Sequence, residues 1–384
     1  MGDPKIEIRQ TGDKGRGLFA TGCFSDGEQI FQEIPFVSCQ FAWNEDYQYQ
    51  ACEYCLRPLE TAVENVKRLT MNEFVELPHP ELCTINKSTH ISCSLCGVKY
   101  CCAECREIAW NKYHKTLCLQ KLHRDNTHPL EQLKEVWKEM HYPPETTSAF
   151  LFAKIFAMIH QSDDKDAIKN LLNEFCHETM NRDQNITHKL VGFKFAEQVE
   201  TLRQLMLTSV PTESAQEWAT PEGFQHLLAL VGTNGQGIGT SSFSEWVKRI
   251  TAMQLLPEEK AIVDNYIERI YDNFDKGVGD FLNNEGSGLY KMQSIINHSC
   301  RPNAVINFPN GNFQLAVTAS RNINPGEEIC ISYLDNCILS RSRHSRQKIL
   351  QENYLFNCKC DKCEEEINEL DETSSDDDED LSDE

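Results

Sequence analysis

The sequence has 384 residues, 40% of them hydrophobic and 25% charged, with a formal net charge of −22. This composition is that of a globular protein with two or three domains. It contains no apolar run of membrane-spanning length, and its negative balance argues against contact with naked nucleic acid, which requires clustered cations. The same charge suits the attraction of basic protein substrates.

Residues 1–41 predict short strands separated by glycine turns. Ile6-Glu7-Ile8 alternates apolar and polar side chains, Gly15-Arg16-Gly17 predicts a turn, and residues 28–40 are rich in Ile, Phe and Val. Such strands cannot bury a face by themselves, so a later segment must complete the β fold.

Residues 52–118 form a cysteine-rich segment with four successive pairs of metal-ligand residues. The pairs are Cys52 and Cys55, Cys93 and Cys96, Cys101 and Cys105, and His114 and Cys118. Eight such ligands suffice for two Zn²⁺, although spacing alone leaves their pairing open. Zinc thiolates indicate a reducing compartment, the cytoplasm or the nucleus. The 37 residues from Leu56 to Ser92 contain no ligand of this set and predict a surface loop.

Residues 129–206 change to a helical period. One apolar face consists of Leu130, Leu133, Trp137 and Met140, and another of Ile168, Leu171, Leu172 and Phe175. A glycine-rich run, residues 232–239, is expected to separate these helices from a second helical pair. The apolar residues of that pair are Trp246, Ile250, Met253, Ile262, Tyr266, Ile267 and Ile270.

Strands return near the C-terminal end. Residues 304–308 and 313–318 are joined by the turn Pro309-Asn310-Gly311-Asn312, and residues 328–333 predict a further strand. A short helix follows near residues 345–352. Residues 364–384 carry 13 Asp and Glu with no Lys or Arg, a composition that predicts a disordered, solubilising tail.

The C-terminal cysteines predict a third metal site. Cys358, Cys360 and Cys363 lack a fourth thiolate, and Cys300 within Asn297-His298-Ser299-Cys300-x-Pro302-Asn303 can supply it. Four thiolates bind one Zn²⁺ tetrahedrally, so the metal would join two distant pieces of chain.

These motifs together resemble a known architecture. The cysteine-rich segment is similar to the MYND zinc finger, including Tyr100 before Cys101 and Trp110 before His114. Three further segments resemble parts of the SET domain: Lys14-Gly15-Arg16-Gly17-Leu18-Phe19, the segment from Asn297 to Asn303, and Gly326-Glu327-Glu328-Ile329-x-Ile331-Ser332-Tyr333. The C-terminal cysteines resemble its post-SET element. The sequence is therefore identified as a member of the SET and MYND domain-containing lysine methyltransferase family over roughly residues 1–366. The long finger insertion, the glycine-rich run and the acidic tail are most similar to one branch of it.

The resemblance implies an α+β fold, in which a SET β-fold is split by a MYND zinc finger and a helical insertion. The expected parts are residues 1–50 and 226–337 for the SET domain, 51–118 for the finger, 119–225 for the helical insertion, 338–366 for the post-SET zinc element and 367–384 for the disordered tail. It also implies how the finger ligands divide: Cys52, Cys55, Cys101 and Cys105 would hold one zinc, and Cys93, Cys96, His114 and Cys118 the other.

The implied activity is methyl transfer from S-adenosylmethionine to lysine on a basic protein, either a histone tail or a ribosomal large-subunit protein. The cofactors would be S-adenosylmethionine and three Zn²⁺. Tyr333 and His298 are the candidate catalytic residues. The candidate cofactor-binding residues are Lys14, Gly15, Arg16, Asn234, Asn297, His298, Tyr333 and Phe356. We expect a monomer in the cytoplasm or nucleus that binds neither nucleic acid nor membrane.

Methyl transfer needs a neutral amine and alignment more than a strong acid or base, and desolvation of the lysine supplies the first. The alternative function is a catalytically silent MYND-type adaptor that recruits protein partners. The intact Asn297, His298 and Tyr333 favour the enzyme, because a scaffold has no chemical reason to keep them. Binding of S-adenosylmethionine separates the two, since only the enzyme requires it.

Overall fold

The computed structural model describes residues 5–119, 127–140, 148–175, 196–277 and 282–368. Its first sheet has four strands in the order β1-β2-β12-β9, which span Ile6–Gln10, Arg16–Ala20, Glu328–Ile331 and Asn297–His298. β12 pairs antiparallel with β2, Ile329 opposite Leu18, and parallel with β9, Ile331 opposite His298. The N-terminal strands are thus completed by the C-terminal motifs, as the sequence predicts.

Two three-stranded sheets complete the β part. The order β10-β11-β3 joins Ala304–Asn307, Leu315–Ala319 and Gln29–Glu33, and the order β4-β8-β7 joins Val37–Gln40, Asn284–Leu289 and Gly235–Thr240. The strands predicted near residues 304–318 are therefore present as β10 and β11.

The glycine-rich run lies between two groups of helices, as expected. It forms β7, which follows a helix directly and pairs antiparallel along β8. Strand pairing uses backbone groups alone, and β8 itself contains Gly286, where an added Cβ would lie 2.3 Å from the Cys39 carbonyl oxygen. The glycines here permit close strand packing rather than a turn.

The cysteine-rich segment contains a short hairpin and a helical C-terminal part. The hairpin pairs β5, Ile91–Ser92, with β6, Lys99–Tyr100. Helix α2 covers Ala103–Ala109 and continues through a π-helical turn, Trp110–His114, into α3, Lys115–Leu117.

The remaining helices cover the described parts of the regions predicted to be helical, and four further helices, Gln216–Ala219, Pro221–Asn234, Asn336–Leu339 and Asp361–Glu365, were not predicted. In chain order these helices are α4 Pro129–Met140, α5 Ala149–Gln161, α6 Lys165–Asn173, α7 Ala196–Ser209, α8 Gln216–Ala219, α9 Pro221–Asn234, α10 Ser242–Thr251, α11 Pro257–Gly277, α12 Asn336–Leu339, α13 Arg343–Tyr354 and α14 Asp361–Glu365. The predicted α4 face is fully buried, whereas Ile262 on α11 is 71% exposed although the helical pattern assigned it to a core. None of the helices among the described residues combines the length and apolarity needed to cross a membrane. The predicted acidic tail from residue 369 lies outside the described residues.

Lys154 on α5 joins the sheet to the cysteine-rich segment. Its side chain is 3% exposed, and Nζ lies 2.8 Å from a carboxylate oxygen of Glu53. The same ammonium donates to the Ser38 carbonyl at 2.9 Å and to the Tyr113 hydroxyl at 3.3 Å. Because a buried charge is tolerated only when it is paired and hydrogen-bonded, these contacts fix the three elements relative to one another.

The Leu56–Ser92 insertion is not the surface loop that its lack of ligands predicted. It contains helix α1, Ala62–Thr70, which begins with a capping box of Thr61 and Glu64. Val66 and Leu69 of α1 pack with Phe243 and Trp246 of α10 in a second hydrophobic core. The capping box is the sequence signal that could have predicted this helix. The apolar residues of α10 and α11 are covered by the insertion.

We expect Leu69→Ala to lower the free energy of unfolding by about 2–5 kcal/mol, because it leaves a cavity in this second core. Met71→Ala is the matched control, since Met71 is 78% exposed and Leu69 is fully buried; its effect should stay within about 0.5 kcal/mol. Chemical unfolding followed by tryptophan fluorescence measures both. Equal stability of the two variants would show that the insertion is a dispensable loop.

Candidate active site and metal centres

Twelve cysteine and histidine residues lie in three groups of four. Within each group the ligand atoms are within 4.8 Å of one another, and the groups are Cys52, Cys55, Cys101 and Cys105; Cys93, Cys96, His114 and Cys118; and Cys300, Cys358, Cys360 and Cys363. The first two groups interleave along the chain, which is the division that the family resemblance implied and spacing could not decide.

The separations between ligand atoms fit a tetrahedral metal. Sγ–Sγ distances are 3.6 Å for Cys55 and Cys101 and 3.6 Å for Cys300 and Cys363, and Cys96 Sγ lies 3.4 Å from His114 Nε2. A Zn–S bond of about 2.3 Å gives a tetrahedral edge of about 3.8 Å, whereas a disulfide requires about 2.0 Å. These groups could therefore hold zinc, and their cysteines are unbridged.

Two Cys-x-x-Cys turns have the same backbone design. After Cys55, Leu56 adopts φ 58° and donates its N–H to the Cys52 carbonyl; after Cys96, Gly97 adopts φ 83° and donates to the Cys93 carbonyl. The left-handed residue closes the loop so that both sulfurs of a pair face one point. Glycine adopts this conformation freely, but at Leu56 it costs roughly 1–3 kcal/mol, which packing and metal must offset.

Arg346 is a buried cation at the C-terminal cysteine group. Its side chain is 1% exposed and forms an ion pair with Glu366, and Nη2 lies 3.8 Å from Cys363 Sγ. Sequence analysis did not identify this residue, because an arginine within a basic helical stretch reads as a solvent-facing side chain. Four thiolates around a divalent metal carry a net charge of −2, so a buried guanidinium here is electrostatically favourable.

The predicted cofactor loop is tied to the Asn297 strand. Asn297 Nδ2 donates to the Arg16 carbonyl at 3.1 Å and to Glu328 Oε1 at 2.7 Å, and Lys14 Nζ lies 2.9 Å from Glu328 Oε2. Burial lowers the pKa of Lys14, but the hydrogen bond and charge of Glu328 outweigh burial and the pKa is raised. Glu328 is thus a site residue that the sequence analysis placed in a motif without giving it a role.

Glycines allow this loop to lie close to its neighbours. Gly15 has φ 74°, a conformation that other residues rarely adopt. A Cβ on Gly17 would lie 2.8 Å from Glu328 Oε1 and 2.8 Å from the Thr11 side chain. Arg16 and Lys14 have different partners, because the Arg16 guanidinium donates to the Glu174 carbonyl at the end of α6.

The imidazole of His298 bridges a cysteine and the backbone of Tyr333. Its Nδ1 accepts from the Tyr333 N–H at 3.0 Å, and Nε2 lies 3.3 Å from Cys300 Sγ. Burial lowers the pKa of His298 to about 4, so the ring is neutral near pH 7 and its one N–H is on Nε2, facing the sulfur. His298, one of the two predicted catalytic residues, therefore positions Tyr333 through the imidazole ring.

Tyr333 is held among aromatic rings. Its hydroxyl donates to the Ile296 carbonyl at 2.7 Å, and its ring centroid lies 5.4 Å from His298, 4.9 Å from Tyr354 and 6.3 Å from Phe356. The predicted residues Tyr333, His298 and Phe356 are thus brought together. Tyr354 was missed because the sequence presents it as the last residue of a helix; burial raises its pKa to about 12, so it stays protonated.

Asn234 lies at the junction of α9 and β7. Its Nδ2 donates to the Leu230 carbonyl at 2.8 Å, within its own helix. Its predicted contact with a cofactor stays a prediction.

Comparisons with known proteins place the chain among methyltransferases. The SET domain family matches residues 15–334. Protein-lysine N-trimethyltransferase SMYD5 of Danio rerio is 51% identical over 363 residues, covering 94% of this chain and 88% of that protein; SMYD5 of Homo sapiens is 50% identical over 370 residues, with 96% and 88% covered.

More distant proteins show the same relationship at lower similarity. Histone-lysine N-methyltransferase SMYD3 of Mus musculus is 25% identical, and the match covers 96% of this chain and 63% of that protein. Among solved structures, the SET domain of LSMT bound to lysine and AdoHcy has 11% identity and a TM-score of 0.31, with 93% of this chain and 54% of that chain covered. A TM-score this low supports no inference about fold or ligand.

Replacing Arg346 by methionine should destabilise the protein by about 3–5 kcal/mol, because Glu366 and the cysteine group then lose a buried cation. Arg301→Met is the matched control: Arg301 pairs with Glu365, the neighbour of Glu366 in the chain, but both side chains are more than half exposed, and such solvent-exposed pairs contribute little to stability. Thermal unfolding of the two variants measures the difference. Equal midpoints would contradict a charge-balancing role for Arg346.

Proposed function

The chain belongs to the SET and MYND domain-containing branch of the SET domain family, as its motifs predict, and on that premise we propose that it transfers methyl groups from S-adenosylmethionine to lysine side chains of a basic protein. The observation that carries the proposal is the placement of Tyr333. Its hydroxyl is fixed by the Ile296 carbonyl, its backbone by His298 and its ring by Tyr354. A tyrosine fixed at three points is suited to orient reacting groups rather than to fill a core.

The residues around Tyr333 fit S-adenosylmethionine. When bound, this cofactor supplies an electrophilic methyl group on a positively charged sulfur. Lys14, whose side chain is 42% exposed beside Glu328, can meet its carboxylate, whereas the Arg16 guanidinium is bound to the Glu174 carbonyl. Asn297 offers amide and backbone groups on the neighbouring strand, and the Phe356 ring, 6.1 Å from His298, provides an apolar face for adenine. Gly17 has no Cβ, so the loop can lie against Glu328 and Thr11, with which a Cβ would clash.

The side chains near Tyr333 prepare the lysine amine. An amine that enters among aromatic rings loses hydration, which lowers its pKa and favours the neutral nucleophile. The Tyr333 O–H donates to the Ile296 carbonyl, so the oxygen would meet the reacting groups as an acceptor. Alignment of the amine with the methyl group then supplies most of the acceleration.

We assign residues 52–118 to a MYND-type finger with two zinc ions and the Cys300 group to a post-SET zinc element with the third. The ligand separations in all three groups support this assignment. We further assign residues 1–50 and 226–337 to the SET domain and residues 119–225 to its helical insertion, although helix α9, Pro221–Asn234, crosses the boundary at residue 225.

For the substrate we favour a basic protein of the cytoplasm, such as a ribosomal large-subunit protein, over a histone tail. The net charge of −22 supports a basic partner, and the sequence shows no basic surface suited to a nucleosome. The relatives named N-trimethyltransferase support a trimethylated product. Mass spectrometry of methyl-labelled products in fractionated cell extract identifies the substrate; labelled histones as the dominant product would contradict this preference.

Freshly purified protein should contain about three equivalents of zinc, one for each group of four ligands. Cys363→Ser should lose one equivalent and weaken binding of S-adenosylmethionine, because Phe356 is two residues from Cys358. Cys337→Ser is the control, since Cys337 is exposed and belongs to no group. Elemental analysis measures both; two equivalents in the unmodified protein would remove the third site.

Tyr333→Phe keeps the ring and removes the hydroxyl, so turnover should fall by a factor on the order of 10² or more. Binding of S-adenosylmethionine should change little, because the hydroxyl acts on the transition state. The comparison variant Tyr354→Phe should lose less than roughly tenfold, since its hydroxyl makes only a 3.4 Å contact with the Tyr333 carbonyl. Radiolabel transfer and titration calorimetry measure the two effects separately.

Unchanged turnover in Tyr333→Phe would show that another residue orients the reacting groups. Failure of the unmodified protein to bind S-adenosylmethionine would instead favour the adaptor function.

A further inference from the structure

The insertion and helix α11 enclose a groove outside the site described above. Its volume is about 640 Å³, with Glu76 and Pro78 on one side and Ile262, Val263, Tyr266 and Arg269 on the other. We call it the insertion groove. Neither the zinc ligands nor the residues around Tyr333 line it.

The walls of the insertion groove are held by hydrogen bonds between elements. Tyr266 Oη donates to the Glu76 carbonyl at 2.6 Å, and Trp246 Nε1 donates to the Pro78 carbonyl at 3.1 Å. Trp246 is fully buried in the second core. The groove is therefore formed before any partner arrives, which reduces the entropy that binding would cost.

Exposed apolar side chains are concentrated in the two chain segments that form this groove. Ile262 is 71% exposed within it, and Leu256, in the residues before α11, is 67% exposed. On the insertion, Met71 is 78% and Phe74 is 92% exposed. These two short segments thus provide four of the ten exposed large hydrophobic residues among the described parts of the chain. Clustering of this kind indicates an interaction surface.

The groove is surrounded by carboxylates. Residues 71–82 and 257–274 together contain eight Asp and Glu, all of them exposed, against two Lys and Arg. Glu76 is one of the residues that line the groove itself. A ligand for this surface must combine positive charge with an apolar side chain.

We propose that the insertion groove is a second docking site for the protein substrate, occupied by a lysine- and arginine-rich segment that places one large apolar side chain against Ile262 and Tyr266. The identification of the occupant as substrate rests on the proposed function, which already requires a basic protein. Contact at two places would raise affinity for long substrates by effective concentration. The insertion would then select among basic proteins that share a suitable lysine.

The test is a double-mutant cycle on the full chain, read by fluorescence anisotropy without cofactor. The probe is a fluorescein-labelled peptide of 16 Lys, Arg, Gly and Ser residues with one central Phe, and its partner has Ala at that position. Ile262→Ser should weaken binding of the Phe peptide by roughly five- to tenfold and of the Ala peptide by less than about twofold. Glu76→Gln should weaken binding of both peptides by about two- to threefold at low salt. This loss of affinity should disappear at high salt, where charges are screened.

Matched controls are Val305→Ser, 45% exposed on β10, and Glu135→Gln, exposed on α4; neither should discriminate between the peptides. Thermal unfolding confirms that each variant is folded. The acidic tail also attracts both peptides, but it cannot produce a Phe-specific loss at Ile262.

Equal effects of Ile262→Ser on the two peptides would overturn the proposal. So would a dimer in sedimentation velocity that Ile262→Ser dissociates, because the occupant would then be a second copy of the chain. Peptide binding needs no methyl transfer, so failure here leaves the Tyr333 experiment unaffected, and failure of transfer leaves this readout intact.

Discussion

The neutral imidazole of His298 is the contact on which the geometry of the site depends. It joins the Tyr333 N–H to Cys300 Sγ, with both partners within 3.3 Å. Since Cys300 shares its group with Cys358, the segment that carries Phe356 is fixed relative to Tyr333 by the same cluster. The cysteine group is therefore part of the framework around Tyr333, and a change in this group would alter the position of the tyrosine.

The cysteine-rich segment is integrated in the body of the protein rather than appended to it. Lys154 binds groups of β4 and of this segment with one buried ammonium. The insertion packs on α10 and α11 in a core separate from the main one. A change in the insertion is thus transmitted to helices that lie more than 150 residues later in the chain, and the insertion groove exists only because these parts share a core.

Patterns of residue type predicted much of this structure. The spacing of cysteine and histidine predicted the twelve candidate ligands. It could not predict how the eight ligands of residues 52–118 divide into two groups, because two interleaved sites and two sequential sites have the same spacing. That division came from the family resemblance. Helical periodicity gave the buried face of α4. It failed at Ile262, since periodicity cannot tell a core from a surface that binds another molecule. Strand β7 was not predicted from the glycine-rich run, because composition does not reveal which backbone groups find a partner strand. Glu328 and Arg346 depend on contacts across the chain that only the fold supplies.

The position of β12 in the first sheet has a consequence for synthesis of the protein. β12 pairs Ile329 with Leu18, and at 5–20 residues per second the ribosome needs roughly 15–60 s to make the chain between them. The N-terminal hairpin waits for that time with one edge unpaired, which is a hazard for aggregation. The ligands of the cysteine-rich segment and the helices that cover its insertion all emerge earlier. A nascent chain arrested before β12 should therefore carry a protease-resistant cysteine-rich segment beside an open sheet, so folding of that segment governs the early stage of maturation and sheet closure the late one.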